Sequence, residues 1–246
     1  MTAELAAPPV LSSGEHALYL DFDGTFVEFA PEPHLVKLFP GSLKLLTALR
    51  DHLDGALAIV TGRRLQDIDA FLAPLELPVA ALHGQVMRSF GGPAQMLPLS
   101  DQMETARRRI GELIGENDPV MVEDKGAAIV LHYRLVPDQK ERVEEIAESV
   151  TKDLGELHSV PGHFISEIRQ RGISKAEAVV ALGLQEPFAG RIPVFVGDDR
   201  TDEDGFRGAA LNGGFGVKVG EGATAAKYRL ADPSAVHAWL RSIVAG

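Results

Sequence analysis

The amino-acid sequence predicts an α/β protein, a doubly wound parallel sheet into which a smaller α+β domain is inserted. Three observations lead there. Five short, predominantly apolar runs recur along the chain, from Leu18 to Leu20, Ala56 to Val60, Val79 to Leu82, Pro193 to Val196 and Phe215 to Val219. Apolarity without alternation is the mark of strands buried on both faces of a parallel sheet. Helical spacing fills the intervals, as at Leu43, Leu46, Leu49 and Leu53 and again at Ala176, Val179, Val180 and Leu182. The third observation is a change of grammar between Ser100 and Ile168, where a helix followed by two strands occurs twice.

Taken in order, Met1 to Gly14 is small, polar and proline-containing, and reads as a loose leader with neither the basic start nor the apolar core of a signal peptide. The first strand ends in Asp21-Phe22-Asp23-Gly24-Thr25. Side chains alternate across a strand, so Asp21 and Asp23 project to one side and Phe22 to the other. Two carboxylates facing one substrate suit a nucleophile and its acid, although the same residues also fit a solvated Asx turn. The second strand ends in Thr61-Gly62-Arg63, where a hydroxyl and the following N–H groups suit phosphate oxygens or an ordinary strand end. In the insertion, Met103, Ile110, Leu113 and Ile114 mark one helix and Val143, Ile146, Ala147, Val150 and Leu154 the other. Strands are expected at 120–122, 127–131, 157–160 and 163–168, with a turn at Lys125-Gly126.

After the insertion, Ser174 and Glu177 form an S-x-x-E start signal that puts Lys175 in the first turn of a helix. A lysine there opposes the helix dipole and points to an anion nearby, or is simply exposed. The fourth strand runs into Gly197-Asp198-Asp199-Arg200-Thr201-Asp202-Glu203-Asp204. That acidic density suits a hard divalent cation held by Asp21, Asp198 and a backbone carbonyl, or a helix start in which Thr201 and Asp204 form a capping box. In open parallel sheets ligands bind beyond the carboxyl ends of the strands, so these three strand ends are expected to converge.

The chain of 246 residues is 45% apolar, enough for a substantial core. A net charge of -11 argues against nucleic acid and anionic membrane as partners. The absence of cysteine excludes disulfides, thiolate catalysis and cysteine-held metals. A cytoplasmic protein is expected.

The order D-x-D-G-T, strand-end Thr, Lys at a helix start, then G-D-D-x-x-D resembles the haloacid dehalogenase superfamily of phosphotransferases. The resemblance implies a HAD-like core over 1–99 and 169–246 and, over 100–168, a C2-type cap that selects the substrate. It implies Asp21 as nucleophile, Asp23 as general acid/base, Thr61 and Lys175 as phosphate-binding groups, and a magnesium ion held among Asp21, Asp23, Asp198 and Asp202. Within the insertion, V-E-D-K-G at 122–126, H-Y-R at 132–134 and E-I-R at 167–169 are similar to the trehalose-6-phosphate phosphatase family. By that similarity the partner is trehalose 6-phosphate, and Glu123, Lys125, Arg134 and Glu167 hold its sugar. Gln170 stands where that family commonly has proline, and His163 where it has lysine. A phosphatase or phosphomutase for another sugar phosphate and a non-catalytic sugar-phosphate sensor are the alternatives.

Overall fold

In a computed structural model of the chain, residues 5–30, 35–115, 117–162 and 164–245 are described. They divide into two compact units, one running to Met96 and resuming at Ser174, the other spanning Leu97–Ile173.

The first unit is built on an eight-stranded sheet. Its strands are β1 (His16–Leu20), β2 (Leu57–Val60), β3 (Val79–Ala81), β4 (Val86–Arg88), β5 (Ala94–Met96), β10 (Ile192–Gly197), β11 (Phe215–Val219) and β12 (Tyr228–Leu230). The order across the sheet is β12-β11-β10-β1-β2-β3-β4-β5. All neighbours from β12 to β3 are parallel, and β4 and β5 add an antiparallel edge. The central strands are wholly buried, as their unbroken apolarity requires. From β1 the chain winds outward through β2 to one side and, after the second unit, through β10 to the other. The reversal between β1 and β10 is where such a sheet leaves a crevice.

The helices of this unit are α1 (Ser42–His52), α2 (Leu65–Leu72), α5 (Lys175–Gly183), α6 (Asp202–Leu211) and α7 (Pro233–Ala245). Leu46, Leu49, Ile68, Leu182, Phe206, Leu240 and Ile243 carry their apolar faces into the core with Leu18, Leu20, Ile59 and Val196 of the strands. Residues 5–14 are tied down rather than loose. Leu11 is buried in the core, Pro9 accepts a hydrogen bond from the Trp239 indole N–H (2.9 Å), and Ala6 accepts one from the Arg229 N–H (3.0 Å). A segment with no periodicity shows its anchoring only through such distant partners, His52 among them, whose Nε2 donates to the Leu11 carbonyl at 3.2 Å.

The second unit is a four-stranded antiparallel sheet, β6 (Met121–Asp124), β7 (Ala128–His132), β8 (Leu157–Pro161) and β9 (Ile165–Gln170), in the order β6-β7-β9-β8. Two helices, α3 (Asp101–Leu113) and α4 (Lys140–Thr151), build a separate core with it from Met103, Ile110, Val143, Val150, Ile129, Leu131 and Ile168. Gly126, with φ +82°, makes the β6–β7 turn, in which the Lys125 N–H bonds the Ala128 carbonyl at 2.8 Å. Gln170 accepts from the Ser100 N–H (2.9 Å) and donates to the Pro98 carbonyl (3.0 Å). His163 lies outside the described residues. Among the described residues no helix is long and apolar enough to cross a membrane.

Candidate active site

Asp21 leaves the end of β1 with its N–H bonded to the Val196 carbonyl of β10 (3.0 Å), which fixes it at the sheet's reversal point. Lys175, in the first turn of α5, reaches the same place. Its Nζ donates to Asp21 Oδ1 at 2.8 Å and to Asp202 Oδ1 at 2.6 Å, and all three side chains are buried. Ser174 caps α5, its hydroxyl accepting from the Glu177 N–H (3.2 Å), as the S-x-x-E signal predicts. The anion inferred beside Lys175 is therefore a pair of carboxylates of the chain itself.

Asp202 opens α6, and the expected Thr201 cap is absent: the Thr201 side chain makes no capping bond, and its hydroxyl donates to Asp199 Oδ1 instead (2.7 Å). Asp202 Oδ2 gathers the strand-end loop, accepting from the N–H groups of Asp198 and Asp199, each at 3.0 Å. Asp198 Oδ1 accepts from the Thr25 hydroxyl (3.2 Å), so the loops after β1 and β10 are fastened across the reversal point. Gly24 makes that approach feasible. With φ +74°, a Cβ added there would lie 2.5 Å from Asp198 Oδ2 and 2.4 Å from Phe29 Cε2.

Three carboxylates around one ammonium are electrostatically unbalanced. Burial pushes the Asp21 carboxyl well above the ordinary 3.8, repulsion from Asp202 and Asp198 adds to this, and Lys175 opposes it. Asp198 is pushed up to about 7 by burial, with Asp202 and Asp199 contributing. Asp202 is raised by burial against the pull of Lys175. Lys175 is held far on the charged side because Asp202 and Asp21 outweigh its desolvation.

A divalent cation fits this donor set. Asp21, Asp198 and Asp202 each offer an oxygen within 4.8 Å of the others, and a dication would supply the missing positive charge to a group of hard oxygen ligands. Asp202 already uses one oxygen for Lys175 and the other for two loop amides, which leaves Asp21 and Asp198 as the carboxylates best placed to hold it. The Asp23 carboxylate lies outside the cluster. Arg63 grips it through Nε to Oδ2 (2.6 Å) and Nη2 to Oδ1 (2.7 Å).

Thr61 is buried at the end of β2, the strand beside β1, and its hydroxyl accepts from the Arg63 N–H at 3.1 Å. His83 follows β3 with φ +57°, its N–H bonded to the Thr61 carbonyl (2.9 Å) and its ring against Gly62. Lys218 on β11 is buried and donates to the carbonyls of Val219 (2.9 Å) and Asp198, steadying the acidic loop from behind. Sequence reasoning gave no role to Arg63 or Lys218. The available signal for Lys218 was a charge inside the buried run Phe215–Val219.

The second unit carries its own polar face. Strand register places Glu123, Val130, Glu167 and Val160 in one row across β6, β7, β9 and β8. Glu123 and Glu167 thus share a face two strand spacings apart, about 10 Å. Glu123 Oε2 contacts His132 Nε2 (3.0 Å) and Lys125 Nζ (3.6 Å), and Glu167 is paired with Arg169 at 2.5 Å. Arg134 is exposed beyond the end of β7, its guanidinium 5.2 Å from the Phe164 ring centroid. His132 and Arg169 join this face by simple alternation, a signal already present in H-Y-R and E-I-R.

These two sets of residues have relatives. The trehalose-phosphatase family model matches residues 19–234. The trehalose-6-phosphate phosphatase of Escherichia coli strain K12 is 36% identical over 99% of this chain and 91% of its own length. Among solved structures, trehalose-6-phosphate phosphatase from Aspergillus fumigatus aligns with a TM-score of 0.78 at 23% identity, covering 94% of this chain and 93% of that one. A haloacid dehalogenase-like hydrolase from B. subtilis aligns at 0.67 with 16% identity, covering 92% and 98%. The two structures establish a HAD-like fold. The family model and the E. coli relative, both spanning most of the chain, go further: the chain belongs to the trehalose-phosphatase family.

Proposed function

We propose that the chain is a magnesium-dependent, cytoplasmic phosphatase that hydrolyses trehalose 6-phosphate to trehalose and phosphate through an aspartyl phosphate on Asp21. The observation that carries this reading is Lys175 bridging Asp21 and Asp202 at the reversal point of the sheet. A carboxylate with its lone pairs directed by a buried ammonium is oriented as a nucleophile before substrate arrives. Magnesium bound by Asp21 and Asp198 would neutralise phosphate charge, lowering the repulsion between two anions.

The chain's own residues supply the remaining chemistry. A carboxylate oxygen of Asp21 attacks phosphorus while the bond from phosphorus to the sugar oxygen breaks, and Asp23 gives that oxygen its proton. Asp23, now a carboxylate, takes a proton from the water that attacks the phosphorus, which frees Asp21 and releases inorganic phosphate. Thr61 and Lys175 hold the phosphoryl oxygens as charge moves onto them. The inserted unit is the substrate-selecting cap, with Glu123 and Glu167 accepting from sugar hydroxyls and Lys125 and Arg134 donating to them.

Phosphate release is measured from trehalose 6-phosphate, sucrose 6-phosphate and glucose 6-phosphate, with magnesium or with chelator. Trehalose 6-phosphate is expected to dominate, chelator to stop the reaction, and Asp21→Asn to abolish it. Equal rates on all three sugars would refute the specificity, and full activity of the Asp21 variant would refute the nucleophile.

A further inference from the structure

On the phosphatase reading Asp23 must donate its proton to an atom in one place, which makes the partners of its carboxylate consequential. Arg63 holds both carboxylate oxygens in a two-pronged ion pair at 2.6 and 2.7 Å. A planar guanidinium fixes a carboxylate's plane as well as its position, which a lysine's single point charge does not. Arg63 is itself immobilised. Its side chain is 11% exposed, and its guanidinium carbon lies 5.2 Å from the Phe71 ring centroid and 5.7 Å from that of Phe22. Its backbone is tied at both ends, the N–H to the Thr61 hydroxyl (3.1 Å) and the carbonyl to the Leu82 N–H (3.0 Å). One T-G-R turn therefore sets a phosphate-binding hydroxyl and the aim of Asp23 together.

We propose that Arg63 is a positioning residue for proton transfer, holding the Asp23 carboxyl toward the leaving-group oxygen. Each carboxylate oxygen has two lone pairs, and the fork uses one on each, so an oxygen of Asp23 can serve the leaving group while Arg63 keeps its grip. Phe22, buried between the two aspartates in sequence, completes the device by seating the guanidinium against its ring. The inference rests on the phosphatase reading of Asp21 and Asp23.

The test compares two substrates that differ in their need for a proton. The sugar alkoxide of trehalose 6-phosphate cannot leave without one, whereas the phenolate of p-nitrophenyl phosphate can. The parameter is kcat/KM, which reports transfer to Asp21 and not the later hydrolysis. A general acid contributes roughly 100-fold or more, so Arg63→Met is expected to lose about that much on the sugar phosphate and less than about fivefold on the aryl ester. Asp23→Asn should show the same split, and the double variant should fall little below Asp23→Asn alone, as two residues acting as one unit do. Arg63→Lys keeps the charge without the fork and should follow Arg63→Met. It also decides the question if Arg63→Met does not fold. Equal losses on both substrates, multiplicative losses in the double variant, or faster turnover of the sugar phosphate would each overturn the role of Arg63. A wild type inactive on both substrates would instead overturn the phosphatase reading, and the role of Arg63 with it.

Discussion

Replacing Lys175 with methionine keeps most of the buried stem and removes the one ammonium that bridges Asp21 and Asp202. In the wild type that ammonium makes two charge-assisted bonds, at 2.8 and 2.6 Å, in a site where all three side chains are nearly inaccessible. Such bonds are worth ~1.5–3 kcal/mol each, and breaking a buried ion pair from one side costs ~3–5 kcal/mol. That is a large share of the ~5–15 kcal/mol that holds a domain folded. With a denaturant slope of about 3 kcal/mol/M, the urea midpoint should fall by about 1–2 M. The chain's one tryptophan, Trp239, sits in the core of the same unit and reports its unfolding by fluorescence. The loss also depends on pH. Without Lys175 both carboxyls stand further above the ordinary 3.8 in the folded state. The stability of a group raised in this way is complete below 3.8 and is lost as the pH climbs through its folded value. The penalty should therefore be greater at pH 8 than at pH 5. A cost below about 1 kcal/mol, the range of an exposed ion pair, or a penalty independent of pH would refute the reasoning.

Two further substitutions test the frame around the site. Gly24→Ala should cost ~1–2 kcal/mol for a side chain in the left-handed region, and its Cβ should push the Asp198 carboxylate aside. The magnesium concentration for half-maximal phosphate release would then rise; a variant with wild-type metal dependence would contradict that contact. His237 is buried against Phe26, with Nε2 donating to the Phe26 carbonyl at 2.8 Å, and burial holds its pKa below 6.5. A depressed imidazole contributes stability that is complete above 6.5 and is lost as the pH falls toward its folded value. His237→Phe should accordingly be most destabilised relative to wild type at pH 8 and less so at pH 5.5 in urea titrations. A constant difference would exclude the linkage.

What could be read from the sequence was whatever periodicity records. The mostly apolar runs gave the central strands because burial on both faces makes a polar side chain costly unless it finds a partner, as Lys218 does. The strands β4, β5 and β12 are three residues each and lie toward or at the sheet's edges, partly or wholly exposed, so no such pressure marks them. Alternation predicts Asp21 and Asp23 on one side of a strand, but β1 ends at Leu20 and both residues lie beyond it. Nor could alternation reveal that one carboxylate meets Lys175, 154 positions away, and the other meets Arg63, 40 positions away. Asp202 shows the same limit. An acidic residue at a helix start reads equally as a cap, a ligand or a counter-ion, and only the turn of the chain through Asp198 and Asp199 shows its two oxygens divided between an ammonium and a pair of amides. On the inserted unit, Glu123 and Glu167 fall into one row because of strand register, which depends on pairings that no single segment encodes.

The sheet's two borders are closed by different means. An unpaired strand edge is a template on which another chain can add itself, the first step of aggregation. On one border the sheet ends in β5, only three residues long and exposed, which is too short to guide a second chain. On the other it ends in β12, where the Arg229 N–H is already given to the Ala6 carbonyl. The stretch that composition marks as a loose leader thus helps to keep a long parallel sheet from growing beyond its own chain.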